Sequence, residues 1–352
     1  MKAKILSLLL SLLLVLSLCA CAGRAKIAPT GTPQEDGAQI PSASAAPESL
    51  PTDAPLRPTE PVLSELNPYV LRPDIRGYLT QDEEQAFRTL IDAIFAREER
   101  VTLSADYDAN LRVLGAARYN PYWFFVEDSH FSDDHTAVIL TYAYSAEEQA
   151  SMRQFMDSEY LRILNSILTP EMNELDQVLS VYHYFASHIE YNYDWLEALN
   201  MADNKYLFPD IAIYEALQTG RGVCHTYTYL CEFALQQLHI ACLPMTGVMN
   251  NDPESGHMWL AVQLDGSFYH MDPTWDAAPG MAGLNYFGMT DEERAQDITI
   301  DIACYDESYG PVVCTDSRFF ELRGVSDYAY LGNHEWALWY EGVDEPVSFR
   351  TQ

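Results

Sequence analysis

Gly220-Arg221-Gly222-Val223-Cys224-His225-Thr226-Tyr227 is the stretch on which the fold turns. Behind it, Tyr227, Leu230, Cys231, Ala234, Leu235 and Leu238 recur in three- and one-residue steps, the apolar face of a helix. Cys224 then falls in the first turn, on the side of that stripe. The two glycines allow a tight approach and leave room for a substrate chain. A helix N-terminus presents unpaired N–H groups and the positive end of a dipole. Both favour a thiolate, the form of cysteine that attacks. The N–H of Cys224 can also face a developing oxyanion. A cysteine on an apolar helix face is more often structural. Cys231 and Cys242 read that way. Cys224 is set apart by its glycines and by the His and Asp motifs downstream of it.

Three strand-like runs come after the helix, over residues 241–249, 257–264 and 267–272. The last two flank Asp265-Gly266, a two-residue hairpin turn. That turn sets Leu264 opposite Ser267 and Val262 opposite Tyr269. Continued outward, it sets Trp259 opposite Asp272 and His257 opposite Thr274. His257, Trp259, Ala261, His270 and Asp272 then share one face, with His257 and Asp272 as diagonal neighbours about 7–8 Å apart at the backbone. A carboxylate there can orient the imidazole and stabilise its charged form while the other ring nitrogen faces the thiol. A slip of one residue would put Asp272 on the wrong face. His270 shares the face but lies nearer the turn, and is the second choice as base.

Gly222-Val223-Cys224, Gly256-His257-Met258-Trp259 and Tyr269-His270-Met271-Asp272-Pro273-Thr274-Trp275-Asp276, in that order, resemble the transglutaminase-like superfamily, a relative of papain-like folds. The resemblance covers residues 171–290. It implies an α+β fold in which the catalytic Cys stands at a helix N-terminus packed on an antiparallel sheet, preceded by a smaller helix-strand module. It implies Cys224 as nucleophile, His257 as general base and acid, and Asp272 as the orienting group. No cofactor is expected, and no metal, since no Cys/His cluster has zinc spacing. By analogy Tyr191, with Tyr193 and Trp195 behind it, is the candidate second oxyanion donor. Two positions depart from the pattern. Leu260 stands where members often have Asn, and in the hairpin it points away from the triad. His225 stands where members often have a small or polar residue, and reads as surface or cleft wall.

Upstream, Phe87, Leu90, Ile91, Ile94 and Phe95 predict a helix over 81–100. Strands are expected at 122–126 and 137–144, and helices at 146–168 and 171–188. Two decoys lie here. Asp106-Tyr107-Asp108-Ala109-Asn110 opens like a calcium loop, but Leu111 takes the glycine position and no Glu closes it. His130, Asp133, Asp134 and His135 read as a polar hairpin tip rather than a metal site.

At the N-terminus, Lys2 and Lys4 precede an apolar run from Ile5 to Leu18, too short to span a membrane. Leu18-Cys19-Ala20-Cys21 resembles a lipobox, with Cys21 to be lipidated. The expected parts are a signal peptide at 1–20 and a Pro/Ala/Ser-rich tether at 21–61, too poor in apolar residues to fold. Beyond them come an N-terminal α/β module at 62–168, a catalytic domain at 169–290 and a C-terminal extension at 291–352. The expected location is the extracellular face of the bacterial cell membrane. Of 7 cysteines, Cys19 leaves and Cys21 takes lipid. The odd remainder is Cys224, Cys231, Cys242, Cys304 and Cys314, which points to one free thiol. Cys304 and Cys314 could bridge a hairpin across Ser308-Tyr309-Gly310, and a Cys231–Cys242 bond stays open beside it.

Lys+Arg 20 against Asp+Glu 52 gives a net charge of -32. Such a surface does not suit nucleic acid or an anionic membrane face, so contact with the membrane is expected through the N-terminal lipid only. The expected substrate is a peptide, a protein or cell-wall peptide, whose amide is opened through a thioester. Water as acceptor gives a peptidase or amidase, an amine gives an acyltransferase. The alternative is a non-catalytic cell-wall or peptide binding module on the same fold, which Leu260 mildly favours. A calcium-dependent crosslinker is a weaker third reading, since no loop has ligand spacing.

Overall fold

The computed structural model describes residues 61–201, 211–301 and 310–351. The signal segment, the tether up to residue 60 and Cys304 lie outside the described residues. Among the described residues no helix is long and apolar enough to cross a membrane.

The first layer holds α1 (Pro73–Tyr78), α2 (Gln81–Ala96), β1 (Arg100–Thr102) and α3 (Tyr107–Arg118). Thr80 starts α2 with a reciprocal cap: its hydroxyl accepts from the Glu83 N–H, and the Glu83 carboxylate accepts from the Thr80 N–H at 2.7 Å. The calcium decoy is the start of α3, where Asp106 caps the N–H groups of Asp108 and Ala109. Asn110 is buried and bonded to the backbone of Ser104 and His135. β2 (Val126–Phe131) and β3 (Ala137–Tyr142) complete a sheet of order β1-β3-β2. The strand expected at 122–126 begins four residues later. Tyr122 and Phe125 are core residues of a 3-10 turn, and the polar stretch after them forms the edge strand. Edge positions tolerate such side chains because one face meets water.

The second layer is helical. α4 (Ala146–Ile167) and α5 (Glu174–His188) lead to β4 (Glu190–Tyr191), α6 (Tyr193–Met201), α7 (Ala212–Thr219), β5 (Arg221–Gly222) and α8 (Cys224–Gln237). α8 is buried on almost every side from Thr226 to Leu235, not on one stripe. It lies between α5 and the main sheet, which explains its all-round apolar character.

That sheet contains β6 (Cys242–Met249), β7 (Asp252–Leu264) and β8 (Ser267–Met271). A small pair, β9 (Ala277–Ala278) and β10 (Met281–Ala282), precedes β11 (Phe287–Met289), the short helix α9 (Asp291–Arg294) and β12 (Ile298–Asp301). The order is β11-β8-β7-β6-β12, and each pair is antiparallel. Leu264 pairs with Ser267, Val262 with Tyr269 and Leu260 with Met271, the register expected of the Asp265-Gly266 turn. β13 (Val325–Gly332), β14 (Glu335–Tyr340) and β15 (Val347–Arg350) form a separate sheet in the C-terminal part. The fold is therefore α+β.

One apolar cluster runs from Val70 through α8 to Leu338, and a smaller one around Trp259 fills the other face of the sheet. The C-terminal sheet is fastened to α5 by Asp176. Its buried carboxylate accepts from Trp336 Nε1 at 2.8 Å and Thr351 Oγ1 at 2.5 Å, while also completing the Asn173 cap of α5.

Candidate active site

Two backbone devices bring Cys224 to its place. β4 runs parallel to β5, with Glu190 N–H donating to Gly220 O at 2.7 Å and Asn192 N–H to Gly222 O at 2.8 Å. Gly220 ends α7 at φ +66°, a left-handed conformation suited to glycine. Gly222 serves by its lack of a side chain: a Cβ there would lie 2.5 Å from Thr226 Cγ2. That threonine is buried, and its hydroxyl accepts from the Val223 N–H at 3.2 Å. Cys224 is thus the first residue of α8, half-buried, with its N–H outside the intrahelical ladder.

His257 faces it from β7. The imidazole interacts with Cys224, and its Nε2 meets Asp272 Oδ2 at 2.6 Å. The ring stacks on Trp275 at 4.8 Å between centroids, with Trp259 beyond at 6.1 Å. Burial pulls the His257 pKa down, but the Asp272 charge and hydrogen bond and the Cys224 contact win and raise it to about 9. Asp272 is fully buried. Burial pushes its carboxyl up, and His257 and then Arg294 bring it below the ordinary carboxylate range. Its second oxygen accepts from the N–H groups of Thr274 at 3.1 Å and Trp275 at 3.4 Å.

Sequence reasoning missed two residues around this carboxylate. Asp276 is buried and accepts from Tyr182 Oη at 2.6 Å and from the N–H groups of Asn285 and Tyr286 at 3.0 and 2.8 Å. It pins the turn after Asp272 to α5. Burial raises its carboxyl to about 6 against those hydrogen bonds. Arg294, from α9, donates through Nη2 to Asp272 Oδ2 at 2.8 Å. Nothing in the local sequence marks it, because it reaches Asp272 across a loop and a strand.

His270 does not join Cys224. Its Nδ1 accepts from Trp259 Nε1 at 3.0 Å, which leaves the ring proton on Nε2, 2.9 Å from Asp291 Oδ1. Burial lowers its pKa, so the ring is held neutral. His270, Asp291 and Cys314 bring potential ligand atoms within 4.8 Å of one another. A metal on Nε2 would need the proton moved to Nδ1, where Trp259 already donates. The cluster is a hydrogen-bonded bolt between β8 and α9.

Tyr191 lines a cleft of about 1070 Å³ together with His257, Arg221, Trp275 and Tyr193. Burial first, then Cys224 and Tyr193, push its phenol up, so its hydroxyl remains a donor. Tyr193 is exposed, and Trp195 packs edge-on against His225 rather than lining the cleft. Leu260 is buried on the opposite face of β7, in the large core. Cys231 and Cys242 are buried free thiols, so no bond joins them.

Residues 162–273 match the family model of the transglutaminase-like superfamily. The chain carries a transglutaminase-like domain. The matched stretch includes Cys224, His257 and Asp272, and stops before Arg294. No curated protein matches the chain. Among solved structures it is similar to a candidate cysteine protease from Cytophaga hutchinsonii, at 14% identity and TM-score 0.28, over 46% of this chain and 50% of that one. It is also similar to a protein described as a TGase, at 14% identity and TM-score 0.30, over 50% and 51%. The chain thus spans about half the length of the structures it matches.

Proposed function

We propose that the transglutaminase-like domain is a cysteine-nucleophile enzyme that opens amide bonds of peptide or protein substrates, held at the outer face of a bacterial membrane by lipid on Cys21. The observation that carries the chemistry is the chain of contacts Cys224–His257–Asp272, with the thiol on a helix N-terminus and the carboxylate 2.6 Å from the imidazole.

Cys224, having passed its proton to His257, attacks the amide carbonyl carbon. The Cys224 N–H and the Tyr191 hydroxyl stabilise the oxyanion. The imidazolium then gives its proton to the departing amine, the C–N bond breaks, and a thioester remains on Cys224. Water, deprotonated by the now neutral His257, completes hydrolysis; an amine completes transfer. The cleft beside His257 has room for an extended peptide, and cell-wall peptide suits the proposed location. Leu260 lies in the core, on the face of β7 opposite His257, so the feature that favoured a purely binding role carries no weight at the imidazole.

Alkylation by iodoacetamide tests the reading. Cys224 is expected to react at neutral pH well above a model thiol, and His257→Ala to slow it by about 100-fold. Cys224→Ala should abolish the fast phase, because the other free thiols among the described residues, Cys231, Cys242 and Cys314, are buried. If Cys224 alkylates no faster than a model thiol, the activated nucleophile is refuted. Mass spectrometry of acyl-enzyme with peptide and cell-wall fragments then reads the substrate class.

A further inference from the structure

Arg294 is completely buried, in a setting that stability alone does not explain. Its Nη2 reaches Asp272, but Nε and Nη1 are buried with no hydrogen-bond partner. The guanidinium lies 4.2 Å from the ring of Trp275 and 4.5 Å from that of Trp259. Burial lowers its affinity for its proton, and Asp272 restores part of it. An apolar side chain of similar volume often serves a core as well as a buried ion pair does. The reason for a cation here lies in what it does to Asp272.

One oxygen of Asp272 receives both the imidazole and the guanidinium. While His257 is charged, the carboxylate faces two cations. Once the imidazolium has given up its proton, only Arg294 remains. A fully buried carboxylate facing a neutral ring favours taking up a proton. It would then cease to be the acceptor that fixes the ring. A guanidinium keeps its charge throughout.

We propose that Arg294 is a positioning residue that holds Asp272 ionised and in place through both protonation states of His257. This rests on the acyl-transfer reading of Cys224, His257 and Asp272. The test reads the imidazole itself, so it gives an answer whether or not an acyl-enzyme forms. Other titratable groups face the pair. Cys224 and Tyr191 lie in front of it, and Tyr182 and Asp276 lie behind Asp272. His270, Tyr286 and Asp297 lie toward the guanidinium. None of these is a permanent cation.

The experiment is an NMR titration of the His257 ring and the Asp272 carboxyl in the full chain, for wild type, Arg294→Gln, Arg294→Met and Arg294→Lys. Loss of the charge in the Gln and Met variants is expected to raise both midpoints by at least about one pH unit. The Lys variant, which keeps the charge, is expected to stay near wild type. A midpoint unmoved in whichever of Gln or Met folds overturns the proposal. So does a Lys variant that shifts as far as they do.

Discussion

His257 stands between two opposed forces. Burial alone would leave it neutral at pH 7, and Asp272 holds its pKa at about 9. The folded value lies above the ordinary 6.5, so its contribution to stability is complete below that pH and is lost as pH rises through about 9. The contribution is on the order of 3 kcal/mol. Asp272 runs the other way: its value is lowered, so its contribution is present above the ordinary carboxylate range and lost as pH falls through the folded value. Asp272→Asn is expected to drop the His257 midpoint from about 9 to below 6.5, tracked by NMR. The same change should remove the alkaline limb near pH 9 from amide cleavage, because the imidazolium that protonates the leaving amine is gone. A midpoint that stays near 9 in the Asn variant would mean that another group holds the proton.

The hairpin of β7 and β8 is the element that makes the site legible in the sequence. Asp265-Gly266 fixes its register, and a period of two assigns each side chain a face. Cys224 is legible for a similar reason, since a helix start can be read from glycines ahead of an apolar rhythm. The Tyr122–Phe125 turn reads as a strand because aromatics serve a strand and a buried turn equally well. Arg294 and Asp276 are not legible as site residues, since their partners lie across loops whose path no local pattern encodes. The face assignment carries its own prediction. Leu260 is buried between β7 and the large core, so Leu260→Asn should cost about 2–4 kcal/mol in urea unfolding by burying an unpaired amide. It should leave the His257 titration in place, because that ring lies on the other face of the strand.

At the scale of the whole molecule, the site borrows from beyond the matched stretch. Arg323 clasps Glu293 and the backbone of Phe287, and Asp176 holds the C-terminal sheet against α5. A chain ended at residue 290 would lose Arg294, Tyr328 and Trp336, and its core would stand open. It is expected to give no cooperative unfolding transition by circular dichroism. Asp176→Ala in the full chain should cost roughly 3 kcal/mol, since it strands buried donors and removes half of a cap. Denaturant midpoints would show it. The indoles packed on His257 have one further consequence. Trp275 stacks on the imidazole at 4.8 Å and Trp259 at 6.1 Å, close enough for a charged ring to draw an electron from an excited indole. Emission should therefore brighten as pH rises through about 9, an unlabelled optical gauge of the proton that the chemistry moves.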